Sequence, residues 1–474
     1  MISIKATTFA GLRSKAAVTR LGPVFCVFAV WAGCTASAED VSPPDRTLFF
    51  PTGVAVSPDD NHLFVTNANS ELRYDSGAVN VVDLAKVDKV VADWTVGHTI
   101  PPSDPSIDGF KDDDGLGDCY QDPDHSETLI CEEALFIAGG IGAKVGNFAT
   151  AVGLQDLGDG RLRMIIPTRG DPSISWIDFA DGKLSCNENH QSFELCDDAH
   201  RLSYVHNDPD LAYLPEEPFD VSVDSTGGFA MVTHLTTGDV TLVNSPATGD
   251  ATIADVAVGI FEASQLTGLR GSTGVATRHS SHGDIVYVGS RTEDRIQTFT
   301  VARPVNNANP FLVSGNYFFL DSVGGNAGGS SDTRGMTFSP DGNRMYLLNR
   351  NPPSLQVYDT SLKETGFPAN QGIGATDICR QASTLASMDT GDGERIYITC
   401  FSDGQLYIVD PRGQSTVEDI LTVGRGPYAV TTAPTRKKVY VTNFLEDTIA
   451  VIDVAPGSPT RNRVVLRIGK VKPL

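Results

Sequence analysis

The sequence predicts an all-β protein, a seven-bladed β-propeller of four-stranded antiparallel blades. Three observations carry that prediction. A phrase made of an alternating strand, a tight turn and a second alternating strand occurs seven times. Each copy is followed by a third alternating run, such as GAVNVVDL, GDVTLVN or DTIAVID. Asp-Gly and Gly-rich turns separate the runs, as antiparallel hairpins require.

The clear copies are PTGVAVSPDDNHLFVTN from 51, EPFDVSVDSTGGFAMVTH from 217, STGVATRHSSHGDIVYVGS from 272, RGMTFSPDGNRMYLLN from 334 and PYAVTTAPTRKKVYVTN from 427. Two weaker copies start at 147 and 380. A fourth strand completes each unit, and VDKVVADWTVG from 87 and RVVLRIGK from 463 are read as examples. One such sheet cannot bury both its faces, so the ring folds as one domain over 51–474. Insertions are expected at about 97–145 and 180–215, and a linker at 39–50. The ring closes either through 463–470 alone or with TLFF at 47–50 adding a strand.

Residues 1–38 read as an export signal. Lys5, Arg13, Lys15 and Arg20 precede the apolar run LGPVFCVFAVWA, which is too short to span a bilayer. Two cleavage sites compete: Ala36-Ser37-Ala38, or a lipoprotein box ending at Cys34, whose thiol would carry the lipid. The expected location is the periplasm, or the outer membrane through that anchor. Loss of four cations and no acid takes the formal charge from −23 to −27. Such a field excludes nucleic acid as a partner, and the protein is expected to be monomeric.

Six cysteines follow the signal, and sequence order suggests the pairs Cys119–Cys131, Cys186–Cys196 and Cys379–Cys400, although six cysteines permit fifteen connectivities. No CxxCH haem motif occurs.

The phrases Phe64-Val65-Thr66-Asn67 and Tyr440-Val441-Thr442-Asn443 resemble the repeat of YVTN-type seven-bladed propellers, in a form similar to exported, lipoprotein-like bacterial members. That resemblance covers roughly 46–474. It implies the fold and an extracytoplasmic setting, and carries little information about activity. The asparagines of these phrases are expected to satisfy backbone groups at the following turn.

The ends of the second strands line one mouth of the ring. Alignment places Asn67, Arg169, His234, Ser290, Asn349, Cys400 and Asn443 there. From this column and its turns come the candidate binding residues Arg73, Arg169, His234, Arg291, Asn349 and Arg350, which could receive an anion or an acidic partner. The plainer expectation is that the arginines pair with nearby acids such as Asp75, Asp171, Glu293 and Asp294.

In the first insertion, DDDGLGDCYQD sets Asp112, Asp114, Asp118 and Asp122 at spacings that could hold calcium, the one candidate cofactor, though the EF-hand's twelfth-position glutamate is missing. His279-Ser280-Ser281-His282 reads as an exposed hairpin turn rather than a metal site.

GxSxG, HExxH and GxxxxGK[ST] motifs are absent. The leading expectation is therefore a non-enzymatic cell-envelope scaffold binding a protein, peptide or glycan on the face that carries the stapled insertions. The alternative is a propeller enzyme. A lactonase-like hydrolase would need carboxylates and amides around a central metal; a quinoprotein-like oxidoreductase would need tryptophan docking motifs, and the chain has only three tryptophans.

Overall fold

The computed structural model describes residues 41–97, 119–203, 213–224, 228–265, 267–279, 283–304, 309–320, 331–413 and 415–470. The chain divides into a unit Met1–Ala36, outside the described residues, and a unit Ser37–Leu474. The second unit is a ring of seven antiparallel blades, each with four consecutive paired strands.

Regularity begins in the hairpins. In six blades the inner strand pairs with the second strand in the same register, with a bulge near its start: Pro51 faces Asn67, Pro218 faces His234, Ser272 faces Ser290, Thr333 faces Asn349, Ala382 faces Cys400 and Pro427 faces Asn443. Alternation then sends one face of every strand against the next blade. Tyr287, Tyr346, Tyr397 and Tyr440, one from each of blades four to seven, are fully buried there. Each such ring removes enough apolar surface to contribute about 2 kcal/mol.

Blades also have to be joined where their backbones meet, and threonine does this. Thr52 Oγ1 donates to Ala149 O at 2.8 Å, Thr150 Oγ1 to Phe219 O, Thr233 Oγ1 to Thr273 O at 2.8 Å and Thr273 Oγ1 to Thr333 O. Thr399 Oγ1 donates to Tyr428 O at 3.2 Å, and Thr442 Oγ1 to Thr52 O at 2.8 Å, which closes the circle. At the remaining junction, blade five to six, Arg350 Nε donates to Ala382 O at 2.6 Å. Of the two Val-Thr-Asn phrases, Thr442 bridges blades and Thr66 bonds Gly53 O within blade one, while the asparagine ties the blade to its connections: Asn67 Oδ1 accepts from Phe49 N, and Asn443 Nδ2 donates to Val423 O.

Blade seven is completed by Arg463–Ile468, so the C-terminal strand suffices. The segment 48–50 adds no strand but fills the seam between the first and last blades; Leu48, Phe49 and Phe50 are buried, and Phe50 N donates to Asp447 Oδ1 at 2.6 Å.

One expected strand is a helix. Leu84–Gly97 is α-helical, and Ala143–Val145 supplies the fourth strand of blade one instead. Asp83 Oδ1 accepts from the amides of Ala85 and Lys86, a helix N-cap, and Leu84, Val87, Val91 and Trp94 recur at helical rather than alternating spacing.

All three disulfides pair as expected. Neither stapled segment roofs the ring. The hairpin of Cys119–Gln121 and Leu129–Cys131 adds to the outer edge of blade seven, with Leu129–Cys131 parallel to Arg463–Ile468. The loop closed by Cys186–Cys196 lies along the outer strand of blade one, where Lys144 N donates to Glu194 O.

Thr442→Val keeps the side-chain shape but leaves Thr52 O without its donor at the closing junction. The expected loss of unfolding free energy in urea is about 1–3 kcal/mol, and an unchanged midpoint would show that this bridge contributes nothing.

Candidate functional site

The inner strands surround a cavity of about 510 Å³. Outside blade three, the third position of each inner strand is small, with Gly53, Gly335, Thr384 and Ala429 lining the cavity, Ala151 at the corresponding place in blade two, and Gly274 in blade four. Small residues are required because the neighbouring blade's backbone is close; a Cβ on Gly53 would stand 2.6 Å from Ala151 C. Blade three alone puts a carboxylate there, Asp220.

Asp220 lines the cavity and is half-buried. Burial pushes its pKa up to about 7, although hydrogen bonds from the backbone amides of Val221 and Val275 partly favour the charged form.

Around it stand cations. Arg169, Arg334 and Arg350 all line the cavity. Arg169 Nη2 lies 2.9 Å from Glu217 Oε1; burial opposes ionisation of Glu217, but the bond and charge of Arg169 hold its pKa below the usual value. Arg334 is held by Asp332 at 2.8 Å, and its guanidinium lies 5.7 Å from the Phe219 ring centroid. Burial, then the charge of Arg334, lower the pKa of Arg350 to about 10, against the favourable effects of Asp332 and Tyr428. Tyr428 completes the wall. Burial raises its pKa, with Arg169, Arg334, Asp220 and Arg350 all acting on its phenol.

The sequence-derived candidates separate. Arg169 and Arg350 line the cavity, and Arg291 lies close enough for its charge to act on both Glu217 and Arg350. Blade two's register sets Thr168, opposite Ala149, at the column position expected for Arg169, which follows one residue later. Arg73 stays at the surface, paired with Glu71 at 2.6 Å and stacked over Phe50.

His234 is not among the described residues that line the cavity. It is fully buried, with Nδ1 3.0 Å from Glu216 O and Nε2 2.8 Å from Thr241 Oγ1, and burial lowers its pKa to about 4. Asn349 is likewise spent on structure: its Oδ1 accepts from Ser331 Oγ and Asp332 N, and its Nδ2 donates to Asn351 O.

Of the calcium candidates, Asp112, Asp114 and Asp118 lie outside the described residues. Asp122 Oδ1 accepts from the amides of Asp124 and His125, closing its own turn. A central metal does not fit the cavity, because among its described lining residues one carboxylate faces three guanidiniums. Asn67, Asn349 and Asn443 direct their amides into their own blades. Of the two tryptophans beyond the signal region, Trp94 packs on the core from the helix and Trp176 Nε1 donates to Ala199 O.

Sequence reasoning missed Asp220, Arg334 and Tyr428. Their signal was in the aligned inner strands, where one acid interrupts a column of small residues, and an arginine and a tyrosine interrupt a neighbouring column rich in threonine.

No family model matches the chain, and no curated protein matches it in sequence. Solved structures do. The periplasmic gluconolactonase of Pseudomonas aeruginosa is 15% identical, with a TM-score of 0.50, over 80% of this chain and 87% of that one. A putative 6-phosphogluconolactonase of Bacteroides fragilis is 13% identical, with a TM-score of 0.51, over 87% and 99%. A protein of Lactobacillus plantarum is 17% identical, with a TM-score of 0.50, over 70% and 90%.

At these identities the likeness establishes the shared propeller fold. The expectation of a non-enzymatic scaffold is corrected here, since of these three structures one is described as a gluconolactonase and one as a putative 6-phosphogluconolactonase.

Two pH dependences follow. Asp220 has a folded pKa near 7 against an ordinary 3.8, so the folded state binds more protons between those values and loses stability as pH rises through that window. Asp220→Asn is therefore expected to melt above wild type at pH 8 and to converge with it near pH 4. His234 has a folded pKa near 4 against 6.5, so the folded state loses stability as pH falls through that window. Thermal midpoints of His234→Gln should fall less steeply there than those of wild type; parallel curves would remove His234 as a cause.

Proposed function

We propose that this protein is a lactonase-like hydrolase that opens a cyclic ester of a hydroxy acid in its central cavity. The observation that carries the reading is Asp220: a lone carboxylate in the cavity, with a pKa of about 7, among three arginines. A general base acts best when its pKa is close to the working pH.

In the proposed reaction Asp220 takes a proton from water as the water oxygen bonds to the acyl carbon. Arg334 and Arg350 stabilise the resulting oxyanion. The acyl carbon to ring-oxygen bond then breaks, and the proton held by Asp220 passes to that oxygen. One lactone and one water give one hydroxy carboxylate and one proton, which leaves to solvent. Arg350 is well placed for its part, because its Nε bond to Ala382 O fixes the guanidinium before substrate arrives.

We further place the chain among YVTN-type propellers that act after export, in the periplasm or held to the outer membrane through Cys34. Support comes from the repeat, from three disulfides, which persist in oxidising compartments, and from the periplasmic description of one similar structure.

The test is hydrolysis of a panel of sugar-acid γ- and δ-lactones followed by acid release. Activity is expected to rise with pH through about 7 as Asp220 ionises. Asp220→Asn should lower kcat on the order of 10²–10⁴-fold. Full activity in that variant, or no turnover of any lactone by wild type, would overturn the reading.

A further inference from the structure

The inner strands of blades three and four end in turns that the central cavity does not use. In blades one and five the first turn residue is a serine that ties its own turn: Ser57 Oγ accepts from His62 N at 2.9 Å, and Ser339 Oγ from Arg344 N at 3.0 Å. In blades three and four that place is taken by Asp224 and His279. The two neighbouring strand ends thus carry side chains of metal-ligand type at that place.

A third ligand type joins them. Asp284 stands just before Ile285–Ser290, and its Oδ1 lies 2.7 Å from His279 Nδ1. One ligand atom from each of Asp224, His279 and Asp284 lies within 4.8 Å of the others. The two strand ends are fixed relative to each other, because Thr277 Oγ1 donates to Val223 O at 2.7 Å and Thr277 N to Ser222 Oγ at 3.0 Å.

We propose that Asp224, His279 and Asp284 form a binding site for a divalent transition-metal ion of the zinc class, clipping blade three to blade four. An imidazole with two carboxylates suits zinc and its neighbours, whereas calcium takes six to eight oxygens. Tetrahedral ligands about 2.0–2.2 Å from zinc stand about 3.3 Å apart. The separations here, from 2.7 Å to at most 4.8 Å, bracket that value. The Asp224 side chain is fully buried and that of Asp284 nearly so, while the His279 side chain is 57% exposed, which leaves an entry path and an open coordination position.

Two shielded carboxylates this close repel, so a cation between them is favoured. Arg303 Nη2, 3.8 Å from Asp224 Oδ2, offsets part of that repulsion. Its side chain is 45% exposed and can turn outward when a metal enters. The bound ion takes the place of the contact between His279 Nδ1 and Asp284 Oδ1.

Asp224 follows Asp220 by four residues of extended chain, about 13 Å. The site therefore acts on stability and is read independently of turnover. A ligand that binds only the folded state raises the melting midpoint with concentration.

The experiment uses chelator-stripped protein and zinc chloride, with thermal unfolding and calorimetric titration. Zinc is expected to bind one to one and raise the midpoint, and calcium at the same concentration is expected to do neither. His279→Ala, at an exposed position, and Asp284→Asn should keep the metal-free midpoint near wild type and lose the zinc response. Cobalt(II) should give a visible absorption band in wild type that His279→Ala lacks. Wild type without zinc binding, zinc binding that survives both substitutions, or equal stabilisation by calcium would each overturn the site and leave an ordinary histidine–aspartate pair.

Discussion

A propeller must satisfy the inner-strand carbonyls where one blade meets the next, because there the backbone is buried and no strand ladder crosses the gap. Here each of the seven junctions is bridged by a side-chain donor. Six are threonine hydroxyls and the seventh is the Nε of Arg350. The repeated phrase is in large part a consequence of that requirement. A short, β-branched side chain with a hydroxyl packs on a strand and still reaches across.

The exception at blade five to six joins the scaffold to the site. Arg350 donates from Nε to the neighbouring backbone at Ala382 O and from Nη2 to Ser383 Oγ at 3.4 Å, while its side chain lines the cavity. A flexible cation thereby becomes a rigid one without a carboxylate partner to neutralise it. Arg169 and Arg334 are positioned differently, by Glu217 and Asp332, so their charge is partly compensated. With Asp220 part-neutral near pH 7, the cavity remains electropositive inside a chain of formal charge −23. Fold and electrostatics are therefore set by the same few contacts.

The ring was readable from sequence because alternation, turn chemistry and repetition agree at every blade. The disulfide pairs were suggested by the order of the cysteines. The helix Leu84–Gly97 was misread because a fourth strand was expected at that place in the blade, and the helical spacing of Leu84, Val87, Val91 and Trp94 and the cap at Asp83 were overlooked. His234 and Asn349 were misjudged since a column position does not say whether a side chain turns toward the channel or back into its blade. Asp220 was legible in principle, as the acid in a column of small residues. Its raised pKa was not, because desolvation depends on the neighbouring blades rather than on local sequence. The grouping of Asp224 with His279 and Asp284 joins residues up to 60 positions apart through blade packing, which spacing motifs do not capture.

The hairpin on the outer edge of blade seven has a bearing on how the chain reaches its native state. Outside its own hairpin, Leu129–Cys131 pairs with Arg463–Ile468, and Thr128 Oγ1 donates to Val464 O, 336 residues away. During synthesis this hairpin has no template outside itself until the last strand emerges. Its contacts therefore belong to the final stage of assembly, when loop-closure entropy is greatest and the ring is committed. The Cys119–Cys131 bond holds the two short strands together in the interval, so what docks late is a preformed unit rather than two loose segments. A chain truncated near its C-terminus would lose both the outer strand of blade seven and the element that shields it, exposing an open sheet edge to other chains.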